Sequence, residues 1–326
     1  LRSANEIIQR YENNPILVPK EGSWWESKSV FNCATLYNGK GVQVLYRAVG
    51  EYQNYISRIG YAYSTDGYSF IRNDKPVFEP VESYERYGVE DPRLFSIDSQ
   101  LYFTYVVPSN YVRESPVVSS ALAITDNFVE FKRLGIITPE VSDDKDLVFF
   151  PERMTPILLD EVSSDSKCYL SLHRPTSWVG PPYGVDRPSI WLAESSNLTN
   201  FQKFSLLLKP EQDWEAAKVG PGPPPIRTRQ GWLLIYHGVS SSKVYRAGAA
   251  LLDLNQPNKV LGRCTHPILE PEKEYEVHGD VNNVVFPTGA CVIDEKLLLY
   301  YGAADKVCCL ATADLDDLVE YVLEHS

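Results

Sequence analysis

Apolar and polar positions alternate along this chain in short runs, and five of the runs look alike. Each is a stretch of aliphatic and aromatic residues ending in a polar or small tip. They are Val44-Leu45-Tyr46-Arg47, Leu101-Tyr102-Phe103-Thr104-Tyr105, Tyr169-Leu170-Ser171-Leu172-His173-Arg174, Leu233-Leu234-Ile235-Tyr236-His237 and Leu297-Leu298-Leu299-Tyr300-Tyr301-Gly302. With Arg47, Tyr105, Arg174, His237 and Gly302 taken as equivalent, the spacings are 58, 69, 63 and 65 residues. A near-constant period predicts stacked or radially arranged units. A second strand-like run follows each first one, as in Tyr61-Ala62-Tyr63-Ser64, Leu122-Ala123-Ile124-Thr125 and Leu310-Ala311-Thr312-Ala313. Asn38-Gly39, Asp98-Ser99 and Asp294-Glu295 precede or split runs where hairpin turns need residues of their kind. Units of roughly sixty residues, rich in β-branched and aromatic residues and broken by turns, fit four-stranded blades. Five such units predict an all-β, five-bladed β-propeller; an array of two-sheet sandwiches is the competing arrangement.

The 326 residues read as one domain, because no linker, charge block or low-complexity tract divides them. Short helices are expected only at the ends, over 4–11 and 315–325. Hydrophobic residues make up 44% and aromatics 12%, ample for a core. The net charge of −12 argues against nucleic acid as a partner, since phosphate backbones demand a basic face. No run of 18 apolar residues is present, so no membrane-spanning helix is expected. Six cysteines, at 33, 168, 264, 291, 308 and 309, form neither a CxxC pair nor a zinc-like set. Reduced thiols and a cytoplasmic location are the plain expectation.

In a propeller the innermost strands line a central channel. The strands entering each unit are expected to begin at Phe31-Asn32-Cys33, Val89-Glu90-Asp91-Pro92-Arg93, Phe149-Phe150-Pro151-Glu152-Arg153, Val219-Gly220-Pro221 and Val285-Phe286-Pro287. Asn32, Asp91 and Arg153 would then share one rim with the tips Arg47, Arg174 and His237. One conspicuous acid among several cations suits an anionic reactant beside a proton donor. Each residue also has an ordinary reading: Asp91-Pro92 as a turn, the arginines as surface ion pairs, His237 as a core histidine, Lys218 as a solvated lysine. Trp24, Trp25 and Trp178 are either sugar-stacking platforms or blade packing.

The stretch Gly88-Val89-Glu90-Asp91-Pro92-Arg93 resembles the hallmark of glycoside hydrolase family 130. So do Lys218-Val219-Gly220-Pro221-Gly222-Pro223-Pro224-Pro225-Ile226, Tyr236-His237-Gly238-Val239, Val284-Val285-Phe286-Pro287-Thr288-Gly289 and Tyr300-Tyr301-Gly302-Ala303-Ala304-Asp305. The resemblance runs from about Asn14 to the C-terminus. It implies a five-bladed propeller and, for most members, inverting phosphorolysis of β-D-mannosides to α-D-mannose 1-phosphate. It implies that Asp91 is the general acid, relaying its proton through the 3-hydroxyl of the mannosyl ring. Asn32, Cys33, Arg47, Glu90 and Asp305 fall where the family grips that ring. Arg153, Arg174, Lys218, His237 and Tyr245 fall where it holds phosphate.

An inverting hydrolase needs a second carboxylate to activate water. A phosphorylase needs cations instead, and the planar fork of Arg suits phosphate. The full set of cations favours phosphorolysis. A hydrolase of the same family and a non-catalytic lectin-like propeller remain the alternatives. No metal or cofactor is expected, inorganic phosphate being a co-substrate, and a homo-oligomer is left open. The surroundings of Asp91 and of Tyr275-Glu276 look most like the subgroup acting on β-1,2-linked mannobiose or short oligomers. Acceptors β-1,4-linked to glucose or N-acetylglucosamine stay open, with loops 108–116 and 177–187 the expected seats of acceptor choice.

Overall fold

The computed structural model describes residues 3–112, 115–138, 143–158 and 166–326. Five antiparallel sheets are built in chain order and form a five-bladed β-propeller. From the channel outward, blade 1 is Ser29–Tyr37, Val42–Val49, Ser57–Ser64 and Ile71–Arg72. Blade 2 is Glu90–Ile97, Gln100–Val112, Ser115–Thr125 and Phe131–Ile136; blade 3 is Asp144–Phe149, Tyr169–Pro175, Ile190–Ser195 and Lys203–Leu208. Blade 4 is Lys218–Pro221, Trp232–Val239, Tyr245–Leu252 and Val260–Arg263, with Ile226–Arg227 added to its second strand. Blade 5 is Val285–Ile293, Lys296–Ala303 and Val307–Asp314. Tight turns join the first two strands where expected in blades 2 and 5: Asp98 and Ser99, and Asp294 and Glu295, all have positive φ, the conformation two-residue hairpins require.

The ring is closed by the N-terminus. Gln9 and Arg10 pair with Thr312 and Ala311 as the outermost strand of blade 5. The expected helix over 4–11 is therefore confined to Ala4–Ile7, because pairing in blade 5 takes up the residues after it. The C-terminal helix is as expected, Leu315–Glu324, capped by the Asp314 side chain on the Asp317 amide. A further short helix, Glu274–Val277, lies between blades 4 and 5. No described helix is long and apolar enough to cross a membrane.

Four blades share a buried polar device that hydrophobic patterning does not reveal. A tyrosine near the end of the second strand donates to a fully buried glutamate just before the inner strand. The pairs are Tyr46–Glu26 at 2.9 Å, Tyr105–Glu85 at 2.7 Å, Tyr236–Glu215 at 3.1 Å and Tyr301–Glu276 at 2.8 Å. An arginine of the outermost strand pairs with each glutamate: Arg72, Arg133, Arg263 and Arg10 in turn. The network ties the innermost and outermost parts of a blade together with every charge matched, as buried charge demands. Blade 3 differs: His173 occupies the tyrosine's place, with Nδ1 2.6 Å from Asp144 Oδ2.

The inner strands carry the site because they are bulged. The register skips at Asn32 in blade 1, between Glu90 and Arg93 in blade 2, between Lys145 and Val148 in blade 3, and at Thr288 in blade 5. Asn32, Asp91 and Asp146 all have positive φ. A bulge adds one residue and re-aims a side chain, and here it places these three polar residues at equivalent points around the channel.

Two expected equivalences are corrected by this register. Opposite Glu90 lies Val106, so Val106 and not Tyr105 is the second-strand tip of blade 2. The inner strand of blade 3 begins at Asp144, five residues before the expected Phe149.

Candidate active site

Asp91 is 5% exposed at the channel mouth. Its Oδ1 accepts from Asn32 Nδ2 at 2.7 Å and from Arg47 Nη1 at 3.1 Å, and its Oδ2 has no hydrogen-bond partner among the described residues. Arg47 also donates to Glu90 Oε1 at 2.6 Å and to Ser57 Oγ at 2.8 Å. Burial alone would raise the Asp91 pKa, but Arg47, Lys145 and the Asn32 hydrogen bond bring it below the ordinary carboxylate value. Burial pushes Glu90 upward despite Arg47, and the neighbouring Asp91 charge adds to the rise. Gly302 has to be glycine here, since an added Cβ would collide with the Asn32 side-chain carbonyl. Asp305, in a positive-φ turn after the second strand of blade 5, interacts electrostatically with Arg47, Asp91 and Glu90. Burial is the main reason that its pKa is pushed up to about 6.

Blades 3 and 4 supply a second, cationic cluster. Lys145 and Arg174 are register partners on adjacent strands. Like charges placed opposite one another destabilise a sheet, and one acid only partly offsets them. Asp146 Oδ2 accepts from Arg174 Nη2 at 3.0 Å and Nε at 3.2 Å. Although buried, Asp146 is held well below the usual carboxylate range by Arg174, with Lys145 and Arg93 adding to the effect. The Lys145 ammonium has no ion pair or hydrogen bond of its own among the described residues. Lys218 likewise lacks an acid partner and lies 5.2 Å over the Tyr245 ring. Burial, then Arg174 and Lys145, push its pKa down to about 7. His237 is buried and kept neutral, chiefly by desolvation, with its ring 6.2 Å from Tyr245 and 4.6 Å from Phe286. Three cations around one committed carboxylate make an anion site.

Arg93 closes the floor between the two clusters. Its Nε donates across the channel to the Gly222 carbonyl at 2.7 Å, and its Nη2 is 3.7 Å from Asp146 Oδ1. Arg93 belongs to the Glu90-Asp91-Pro92-Arg93 stretch, but its place in the channel floor leaves no separate signal in the sequence.

Of the residues expected here, Asn32, Arg47, Glu90, Asp91 and Asp305 come together on one side, and Arg174, Lys218, His237 and Tyr245 on the other. Arg153 does not join them. It lies beyond the C-terminal end of its inner strand, near Asp98 at 4.0 Å and stacked 5.1 Å over Tyr169, at the opposite end of the channel. Glu152 pairs with Arg227 at that same end, at 2.5 Å. Lys145 occupies the place expected for Arg153. Cys33 is also displaced: the bulge turns Asn32 to the channel, and Cys33 packs fully buried in the core with Tyr46 and Cys308. Trp25 is blade packing, wholly buried and stacked on Tyr46, while Trp178 packs edge-on to Trp191 and Phe204. Trp24 is exposed beneath Arg58.

Residues 3–324 match the model of a glycoside hydrolase 130 family described as β-1,4-mannooligosaccharide phosphorylase. The chain belongs to glycoside hydrolase family 130. Among relatives, a 1,2-β-oligomannan phosphorylase of Thermoanaerobacter sp. (strain X514) is 38% identical over 95% of this chain and 98% of its own. A β-1,2-mannobiose phosphorylase of the same organism is 36% identical over 91% and 94%. The solved β-1,2-mannobiose phosphorylase of Listeria innocua, in complex with β-1,2-mannobiose, superimposes with a TM-score of 0.81. It is 27% identical, and the superposition covers 97% of this chain and 99% of that one. This family 130 chain is accordingly an enzyme, a glycoside phosphorylase.

Proposed function

We propose that the enzyme cleaves β-1,2-linked mannobiose or short β-1,2-mannooligosaccharides with phosphate, giving α-D-mannose 1-phosphate and the shortened acceptor. The observation that carries the reading is the cationic cluster. Lys145, Arg174 and Lys218 converge around Asp146, and Asp146 is committed to Arg174 through two hydrogen bonds that favour its ionised form, which makes it a poor base. A water nucleophile would need such a base; a phosphate anion needs the cations.

Asn32, Arg47 and Asp305 hold the mannosyl ring between the two clusters. A phosphate oxygen forms the new bond to C1 as the bond from C1 to the glycosidic oxygen breaks. The departing oxygen takes a proton that originates on the Asp91 carboxyl, passed through the ring's 3-hydroxyl. Phosphate supplies the missing condition for that step. Its charge offsets Lys145, one of the cations that keep the Asp91 carboxyl ionised, and so raises the carboxyl's proton affinity when the nucleophile is present. The reaction as read asks for no metal, because phosphate brings its own charge.

The family description names a β-1,4 linkage and the relatives named above a β-1,2 linkage; the relatives support the β-1,2 choice. The six cysteines, all buried free thiols, support a reducing, cytoplasmic setting. The test of linkage is mannose 1-phosphate yield from β-1,2- and β-1,4-mannobiose at equal concentration with phosphate. Faster release from the β-1,4 isomer would overturn the proposed specificity.

A further inference from the structure

The hairpin joining the second and third strands of blade 1 overhangs the acid side of the channel, and one of its residues is held in an unfavourable conformation. Tyr55 has φ 54°, a region that bulky side chains rarely adopt. Such an outlier persists only where its surroundings enforce it, and outliers of this kind cluster at ligand sites. Here the enforcement is visible. The Tyr55 ring stacks on Tyr52 at 6.2 Å and 13°, and the Arg47 guanidinium lies 5.9 Å from its centre.

Tyr52, itself 50% exposed, is pinned from blade 5. Its hydroxyl donates to Asp280 Oδ1 at 2.8 Å and accepts from Lys306 Nζ at 2.8 Å, and Lys306 bonds Asp280 at 3.0 Å. Asp280 is fixed in turn by the Ser29 hydroxyl. Lys306 follows Asp305 directly, so the brace is anchored in the turn that holds the mannosyl ring.

The Tyr55 hydroxyl has no hydrogen-bond partner among the described residues, although the phenol is half-buried and interacts with Arg47, Asp305 and Glu90. A preorganised donor without a partner, at a channel mouth, is a feature of a binding site. Its side of the channel identifies the ligand. Inversion requires the leaving group to depart opposite the entering nucleophile. The cations lie on blades 3 and 4, whereas Tyr55 lies on blade 1, beside Arg47 and the acid pair Glu90–Asp91.

We propose that Tyr55 is a substrate-positioning residue whose hydroxyl hydrogen-bonds the leaving (acceptor) mannosyl unit, with Tyr52, Asp280 and Lys306 as its brace. The assignment rests on the phosphorolytic reading of the site. The test is Tyr55→Phe, which keeps the ring stack, assayed in the synthetic direction with mannose 1-phosphate and mannose as acceptor. The acceptor KM should rise about five- to ten-fold, the loss of one hydrogen bond, with the KM for mannose 1-phosphate unchanged. An unmoved acceptor KM, or an equal rise in both, would overturn the proposal. Tyr52→Phe removes the link to Asp280 and Lys306 while leaving every group that faces the channel. It should shift the acceptor KM in the same direction, and an unchanged value would overturn the brace. Wild-type protein that makes no mannose 1-phosphate from any mannobiose refutes the reading of the site. Wild-type turnover with an unmoved acceptor KM in Tyr55→Phe refutes only the role of Tyr55.

Discussion

Replacing Lys145 with Met separates the requirement of the site from the requirement of the fold. In the protein alone the ammonium faces its register partner Arg174 and has no ion pair of its own among the described residues. A phosphate charge about 4 Å from it would gain about 4 kcal/mol at an effective dielectric constant near 20. Lys145 is only half-buried, and Asp146 already offsets part of the local field. Solvent screening therefore reduces the expected gain to about 2 kcal/mol, or roughly 30-fold in phosphate affinity. For the fold the loss is small: the cross-strand repulsion of Arg174, worth about 0.2–1 kcal/mol, offsets the attraction of Lys145 to Asp91 and Asp146. Lys145→Met should thus raise the phosphate KM about 30-fold at saturating mannobiose, while its melting temperature without phosphate stays close to wild type. Added phosphate should raise the melting temperature of wild type more than that of the variant, by linkage. A phosphate KM within about two-fold of wild type would show that Lys145 does not hold phosphate, and a clear fall in melting temperature would show that it serves the fold.

Asp91→Asn should lower kcat by at least about 10²-fold, as loss of a general acid does, while calorimetry still detects mannobiose binding; near-normal turnover would remove Asp91 from its role. Asp305 gains its charge as pH rises through about 6, and Lys218 loses its charge as pH rises through about 7. Grip on the sugar should therefore weaken below about 6 and grip on phosphate above about 7. The kcat/KM for phosphate should lose its alkaline limb near 7 in Lys218→Met, and an unchanged limb would assign it to another group. Arg10→Ala leaves Glu276 buried without its cation and loosens the strand that closes the ring. Breaking a buried pair this way costs about 3–5 kcal/mol, so calorimetry should show a melting temperature several degrees lower; an unchanged one would deny the closing strand its role.

Much of this architecture was legible in the sequence because each blade repeats one demand: an apolar second strand with a polar tip, then a turn. The acid side of the site was legible for the same reason, since Asn32, Asp91 and Arg47 stand at repeat-equivalent places. Blade 3 was not. Phe149-Phe150-Pro151 mimics Val285-Phe286-Pro287, and aligning the two carried Arg153 into a place that belongs to Lys145. The true start, Asp144-Lys145-Asp146, reads as a solvated charged turn, because its bulge breaks the alternation that marks a strand. A like bulge in blade 1 hides the place of Cys33, for one inserted residue sends Asn32 to the channel and its neighbour to the core. Tyr55 left no signal in the pattern at all. Its strain and its clamp exist only once blade 5 packs against blade 1.

Phosphate, not water, is proposed to attack the anomeric carbon from the side of Lys145, Arg174 and Lys218. Time-resolved NMR of β-1,2-mannobiose turnover with and without phosphate separates the two nucleophiles. With phosphate, α-D-mannose 1-phosphate and mannose should form in equal amounts, and without it turnover should be negligible. Two equivalents of free mannose at an undiminished rate in phosphate-free buffer would show that water is the nucleophile.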